Sequence, residues 1–175
     1  MTKEPKPQQM KALSVKNPWA YLECIGIKDI ENRTWPTSFR GRVLIHVSKK
    51  GANFWDSNVC FIVDNELRKL NTPEYTNSFG SIIGSVEIVD CVQNHPSIWA
   101  EKGTVKVFSK AKNKIIEKPI YNWVLKNPIL FEKPILNVKG TLSFWNYEIE
   151  IPNNTMMINI PKHRWDFELP QTLES

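Results

Sequence analysis

The stretch Asn17-Pro18-Trp19-Ala20-Tyr21-Leu22-Glu23-Cys24-Ile25-Gly26-Ile27-Lys28-Asp29-Ile30-Glu31-Asn32-Arg33 decides how the rest of the chain is read. Asn is a strong helix N-cap and Pro is preferred at the first helical position, so Asn17-Pro18 predicts a helix start. Trp19 and Leu22 are spaced to share one helical face. Gly26 can take positive φ and predicts the helix end, after about two turns. Residues 28–35 then read as extended. Alternate strand residues share a face, so Glu31 and Arg33 point the same way. Lys28 has the opposite parity, but it follows the helix-ending glycine and need not obey the alternation.

Working outward, Lys11 to Val15 predicts a short strand with Leu13 and Val15 on one face, preceded by a disordered lead-in over residues 1–10. Downstream, Arg40-Gly41-Arg42 reads as a turn, and Val43-Leu44-Ile45-His46-Val47 as a β-branched, apolar strand. Trp55, Val59, Ile62, Val63 and Leu67 recur at helical spacing and predict a helix over Phe54 to Leu70. Ile82 to Val92 reads as a long strand, apolar on both faces, with Gly84 marking a bulge or bend. Residues 93–118 are mixed, with a turn of helix after Pro96 and then Lys106, Lys110, Lys112, Lys114 and Lys118. Ile120 to Leu125 and Val138 to Ile151 predict further strands, with Pro128 and Pro134 bracketing their connection. The tail over 152–175, with Pro161 and Pro170, reads as an edge strand or a surface wrap. Five or six strands and two main helices without βαβ alternation predict an α+β fold. A small closed or nearly closed β-barrel with the helices packed at its rim is the economical solution. The 175 residues suit one domain, over 11–151.

Composition narrows the function. Hydrophobic residues make up 41%, enough for a packed core. The formal net charge of +5 favours polyanions over acidic proteins as partners by long-range steering, although the same charge also serves solubility. Cys24, Cys60 and Cys91 are scattered and odd in number. No zinc pair and no disulfide framework is expected, and a reducing, cytoplasmic setting fits. His46, His95 and His163 show no metal-ligand spacing, so neither a metal nor a cofactor is predicted. No apolar run approaches the ~18 residues of a membrane helix. Met1 to Pro7 is charged and Pro-rich, which predicts no signal peptide.

The motif order is specific enough to name a family. Ala12-Leu13-Ser14-Val15, Asn17-Pro18-Trp19-Ala20, Gly26-x-Lys28-x-x-Glu31-x-Arg33-x-Trp35 and Arg40-Gly41-Arg42-Val43-Leu44-Ile45-His46-Val47-Ser48 together resemble the ASCH (activating signal cointegrator homology) family. Trp123-Val124-Leu125, Pro134, Val138-Lys139-Gly140 and Phe144-Trp145 look like the closing strands of that family. The resemblance spans roughly residues 11–150. It implies a PUA-like β-barrel, shared with RNA-modifying and RNA-binding domains, with a cleft beside the barrel lined by the Gly-x-Lys-x-x-Glu motif. It further implies binding of RNA or nucleotides, or, in some members, amidohydrolase activity on acetylated cytidine or ribonuclease activity. Fold membership alone does not select among these.

Lys28, Glu31 and Arg33 are the expected centre of recognition. A carboxylate accepts from an exocyclic amine, an ammonium donates to a carbonyl or phosphate, and Arg33 clamps phosphate or orients Glu31. The competing reading of all three is a salt bridge bracing the barrel mouth. Trp19 and Trp145 are candidate stacking residues, although core packing is the commoner fate of a tryptophan. Arg40 and Arg42 are candidates for phosphate contacts, or simply a solvated turn. His46, inside an apolar strand, reads as a structural, hydrogen-bonded histidine. The Lys106–Lys118 run adds diffuse phosphate attraction, or is a solvated face. As an enzyme, the chain would use Lys28, Glu31 and Glu87. The amidohydrolase-like members carry a Thr where Glu31 stands, however, so the expected nucleophile is missing. The primary reading is therefore a binding module for RNA or a nucleotide, with DNA as the alternative polyanion. A small hydrolase is second, and a protein-interaction domain third.

Overall fold

The structure, a computed structural model, describes residues 7–50 and 78–149. The predicted helix Phe54–Leu70, the tail 152–175 and most of the lead-in lie outside those residues. The described elements run β1 (Gln8–Val15), α1 (Trp19–Cys24), β2 (Ile30–Arg33), β3 (Gly41–Val47), β4 (Ile82–Val92), β5 (Thr104–Ser109), β6 (Lys114–Pro119), β7 (Tyr121–Ile135) and β8 (Phe144–Ile149). Six strands form one sheet in the order β2-β7-β4-β3-β1-β8, and β5 and β6 form a separate two-stranded ribbon. Only β1 and β3 pair in parallel; the other pairings are antiparallel.

The large sheet curls into a half-barrel. Trp123 on β7 stacks on Phe144 of β8, with ring centroids 5.2 Å apart, although three strands separate β7 from β8 in the sheet. Trp35 stands edge-on to both rings. Strand alternation sorts the core. Leu13 and Val15 of β1 and Val43, Ile45 and Val47 of β3 face the main cluster with α1. Ala12 and Leu44 face a smaller cluster with Ile82, Val138 and Ile149.

The described fold is mostly β, and one of the two predicted helices is present as the short α1. The other predicted helix falls outside the described residues, so these bear out the β part of the α+β expectation. Three local differences explain the rest. Residues 93–118 yield two strands rather than a mixed segment. β7 is 15 residues long and runs through Pro128 and Pro134 instead of ending before them. Pro128 and Pro134 both fall where the β4–β7 register shifts, between Lys126 and Ile129 and between Leu130 and Ile135, and a bulge tolerates a residue without an N–H. Third, β1 begins at Gln8, because Gln8 to Met10 pair with β8.

Gly84 does mark an irregularity, a register shift between Ile82 and Gly84 against β7. A Cβ there would lie 2.2 Å from the Ile129 carbonyl oxygen and 2.8 Å from Cys24 Sγ. The glycine therefore lets α1 seat directly on the sheet. Among the described residues no helix is long and apolar enough to cross a membrane.

Candidate functional site

α1 is buried through Ala20, Tyr21, Leu22, Glu23 and Cys24, so even its carboxylate is inside. Pro18, not Asn17, occupies the N-cap position, and no side chain caps the helix. The C-terminal end matches expectation. Gly26 takes φ +80°, its N–H donates to Glu23 O, and the Ile27 N–H donates to Leu22 O. This is a Schellman closure. The Lys28 N–H also donates to Leu22 O, which fixes the backbone so that the Lys28 side chain returns to the last helical turn.

There Lys28 Nζ lies 2.8 Å from Glu23 Oε1 and 3.0 Å from Glu31 Oε2, and it also donates to the Ile30 carbonyl. An ammonium has three protons, and all three have acceptors. Arg33 Nε lies 2.8 Å from Glu31 Oε1, as strand parity requires. Arg33 Nη2 donates to the Ser14 carbonyl at 2.9 Å, and the guanidinium sits over the Trp123 ring. Glu23, Lys28 and Glu31 are 1%, 5% and 8% exposed, so water screens this network little.

Burial sets the protonation of the cluster. It pushes the Glu23 carboxyl well above the usual range; Lys28 opposes this, and neighbouring Glu31 adds to it. Glu23 Oε2 is buried and forms no hydrogen bond with a described residue. Burial also works against charge on Glu31, but Lys28 and Arg33 outweigh it and bring that carboxyl down to about 2. For Lys28, burial lowers the pKa and the two carboxyl groups raise it by more, so the net shift is upward. Lys28 is therefore held as an ammonium rather than as a neutral amine nucleophile.

This network floors an open cleft of about 910 Å³. Trp19 and Trp99 stand on its wall, edge to face, with centroids 6.2 Å apart. The loop carrying Trp99 is pinned by two asparagines of the sheet. Asn32 Nδ2 donates to the Trp99 carbonyl, and Asn122 Nδ2 donates to Asn32 Oδ1 and to the Glu101 carbonyl. Ser97 Oγ adds a 2.6 Å bond to Asp29. Lys16, Lys49 and Lys50 stand at the rim and form no ion pair with another described residue.

Of the residues expected to act together, Lys28, Glu31, Arg33 and Trp19 meet at this cleft, whereas Arg40, Arg42, Glu87 and Trp145 do not line it. Arg40 pairs with Asp90 at 3.0 Å. Arg42 pairs with Glu87 at 2.8 Å and donates to Ser85 Oγ and Asn127 O. A hydrogen bond from Asn127, with Arg42 adding to it, holds Glu87 below the ordinary carboxylate range. Trp145 packs against His46 and Tyr147 beside the smaller core cluster. His46 is buried, with Nε2 on the Val138 carbonyl and Nδ1 on Ser14 Oγ, a structural histidine as expected.

Sequence reasoning missed Glu23, Trp99 and the rim lysines Lys16, Lys49 and Lys50. An acid in an otherwise apolar short helix was the one signal available for Glu23. Trp99 lay in an aperiodic segment with no signal at all.

The ASCH domain family model matches residues 13–135. The chain belongs to the ASCH domain family. Activating signal cointegrator 1 from Homo sapiens is 30% identical over 147 residues, covering 79% of this chain and 22% of that protein. The Mus musculus protein of the same name is 29% identical over the same extent. The chain thus spans about a fifth of the length of these curated relatives, 22% in each case. The ASCH match takes in all the cleft residues named here, and it ends before β8, the strand that carries Phe144 and Trp145.

Proposed function

We propose that the cleft binds a nucleotide within a nucleic-acid strand, RNA first. The observation that carries this reading is the meeting of a two-tryptophan corner with three lysines, none ion-paired to another described residue, above a buried, ordered polar floor. A base stacks on Trp19 or Trp99, which contributes roughly 1–3 kcal/mol. Lys16, Lys49 and Lys50 attract the phosphates on either side. Glu31 and Asn32 present acceptor and donor groups to the base edge. Lys28 is a positioning residue here: its protons are engaged within the floor, and it holds Glu31 in place. Arg40 and Arg42 are given no part, since each is already paired outside the cleft.

A hydrolase has weaker support. Glu87 is remote from the cleft lining, and Lys28 is held as an ammonium. Ser14 Oγ lies on the cleft, 3.1 Å from His46 Nδ1, but its single proton is also directed to the Thr141 carbonyl at 3.1 Å. Among the described residues no acid bonds to that pair, since His46 Nε2 lies on the Val138 carbonyl.

The test is tryptophan fluorescence and anisotropy with short labelled single-stranded RNA. Salt-sensitive binding that weakens about tenfold in Trp99→Ala, and again in a Lys49→Ala/Lys50→Ala variant, is expected. Absence of binding at low salt by the folded wild-type chain overturns the reading.

A further inference from the structure

The β5–β6 ribbon lies outside the cleft, and among the described residues its strands pair only with each other. Opposed residues of an antiparallel pair share a face. Lys106 and Phe108 therefore stand on one side with Glu117 and Ile115, while Val105, Val107 and Ile116 stand on the other. The valine side is half-buried and the first side is wholly exposed. On that exposed side Phe108 and Ile115 are direct cross-strand partners, 61% and 67% exposed. Residues 104–119 contain five lysines and one acid, Glu117. None of the five forms an ion pair with a described residue, not even Lys106 opposite Glu117. Lys110, Lys112 and Lys114 crown the tip, where Asn113 takes φ +46° to close the turn.

We propose that this ribbon enters the major groove of a B-form DNA duplex. Six residues per strand reach about 20 Å at ~3.3 Å each, and the B-form major groove, ~12 Å wide and ~8.5 Å deep, admits a two-stranded ribbon. Lysines at the tip and flank meet the phosphates of the groove walls. Phe108 and Ile115 meet the groove floor, where apolar contact is offered by thymine methyl groups. The major groove of A-form RNA is too deep and narrow for this fit. A neutral protein partner would match the apolar pair, but it would leave the excess of five lysines over the single acid Glu117 uncompensated. The inference extends the nucleic-acid reading of the cleft and rests on a different surface.

The experiment measures anisotropy of the full chain with three labelled probes: a short A·T-rich DNA duplex, an RNA duplex of the same sequence, and single-stranded RNA as the cleft probe. The Lys110→Ala/Lys112→Ala/Lys114→Ala variant is expected to bind the DNA duplex about tenfold more weakly or worse, with the salt slope reduced by about 2–3. Phe108→Ala/Ile115→Ala is expected to weaken duplex binding several-fold at unchanged slope and to lose preference for A·T-rich over G·C-rich DNA. Neither variant should alter single-strand binding by more than about twofold, because the ribbon does not line the cleft. Both sets of substitutions are at exposed positions, and unchanged thermal melting checks the fold. An unchanged salt slope in the lysine variant overturns the proposal. So does RNA-duplex affinity equal to that for DNA, or a Phe108→Ala/Ile115→Ala effect confined to self-association in light scattering. Duplex binding that persists where single-strand binding is absent leaves the ribbon standing and removes the cleft reading instead.

Discussion

Arg33, on the edge strand β2, donates from Nη2 to the carbonyl oxygen of Ser14 on β1, 2.9 Å away, although β7, β4 and β3 lie between those strands in the sheet. One guanidinium thus bridges the gap left by the half-barrel while pairing with Glu31 on the cleft floor. Fold closure and site geometry share a residue.

Arg33→Ala should therefore be costly in both respects. It removes the bridge and leaves the buried Glu31 with Lys28 as its remaining cation. A loss of about 2–4 kcal/mol is expected in urea unfolding, since breaking a buried pair leaves an uncompensated charge. Arg33→Lys should recover less than half of it, because a lysine cannot serve Glu31 and the Ser14 carbonyl with one planar fork. A loss below about 1 kcal/mol would mean that the bridge contributes little.

The two carboxyl groups give stability opposite pH dependences. Glu31 is lowered to about 2, so its contribution is present above the ordinary carboxylate pKa and is lost as pH falls from about 4.5 toward 2. Glu23 is raised, so the folded chain holds a proton that the unfolded chain releases, and stability falls as pH rises from about 4.5 through the raised value. Glu23→Gln keeps the shape and removes the second effect. Its stability curve above pH ~5 should be flatter than that of the wild type, while the acid limb stays unchanged.

Gly84→Ala should be among the most damaging single-methyl additions. Backbone oxygen of Ile129 and Cys24 Sγ both stand where the Cβ would go, and neither is a flexible chain end. A loss of more than about 3 kcal/mol, or failure to fold, is expected by circular dichroism. Gly103→Ala is the control, with φ +76° but nothing within 4 Å, and should cost only about 1–2 kcal/mol.

Asn122→Ala should damage binding through the Trp99 loop. Asn122 is fully buried and bonds to Asn32, the Glu101 carbonyl and the His95 N–H. Removing it strands those partners at a cost of about 1–3 kcal/mol. If Trp99 is a stacking surface, single-stranded RNA affinity should fall with the loop's order, while duplex binding through the β5–β6 ribbon holds.

Much of the site can be read along the chain because it is local. Glycine's tolerance of positive φ predicts the end of α1 at Gly26, and strand parity alone places Glu31 beside Arg33. Those are properties of neighbouring residues and the backbone, so no knowledge of the rest of the fold is needed. The bulge at Gly84 is legible for the same reason.

Burial and long-range meeting are not local. Glu23 looks like an ordinary surface acid until α1 is laid against the sheet at Gly84, which takes its carboxyl out of water beside Lys28 and raises its pKa. Pro128 and Pro134 signal breaks in isolation, yet they sit within β7 because each falls at a register shift against β4. Trp99 is brought to Trp19 by a loop that Asn32 and Asn122 help to pin, through bonds between residues 67 and 90 apart in the chain. Arg42 and Glu87 lie close in space but face away from the cleft, a separation set by sheet register and curl. The sequence by itself determined which residues carry the charge and where the backbone must turn. The tertiary structure decided which of those charges are desolvated and which aromatic rings face them, because both depend on strand order and curvature that no local pattern encodes.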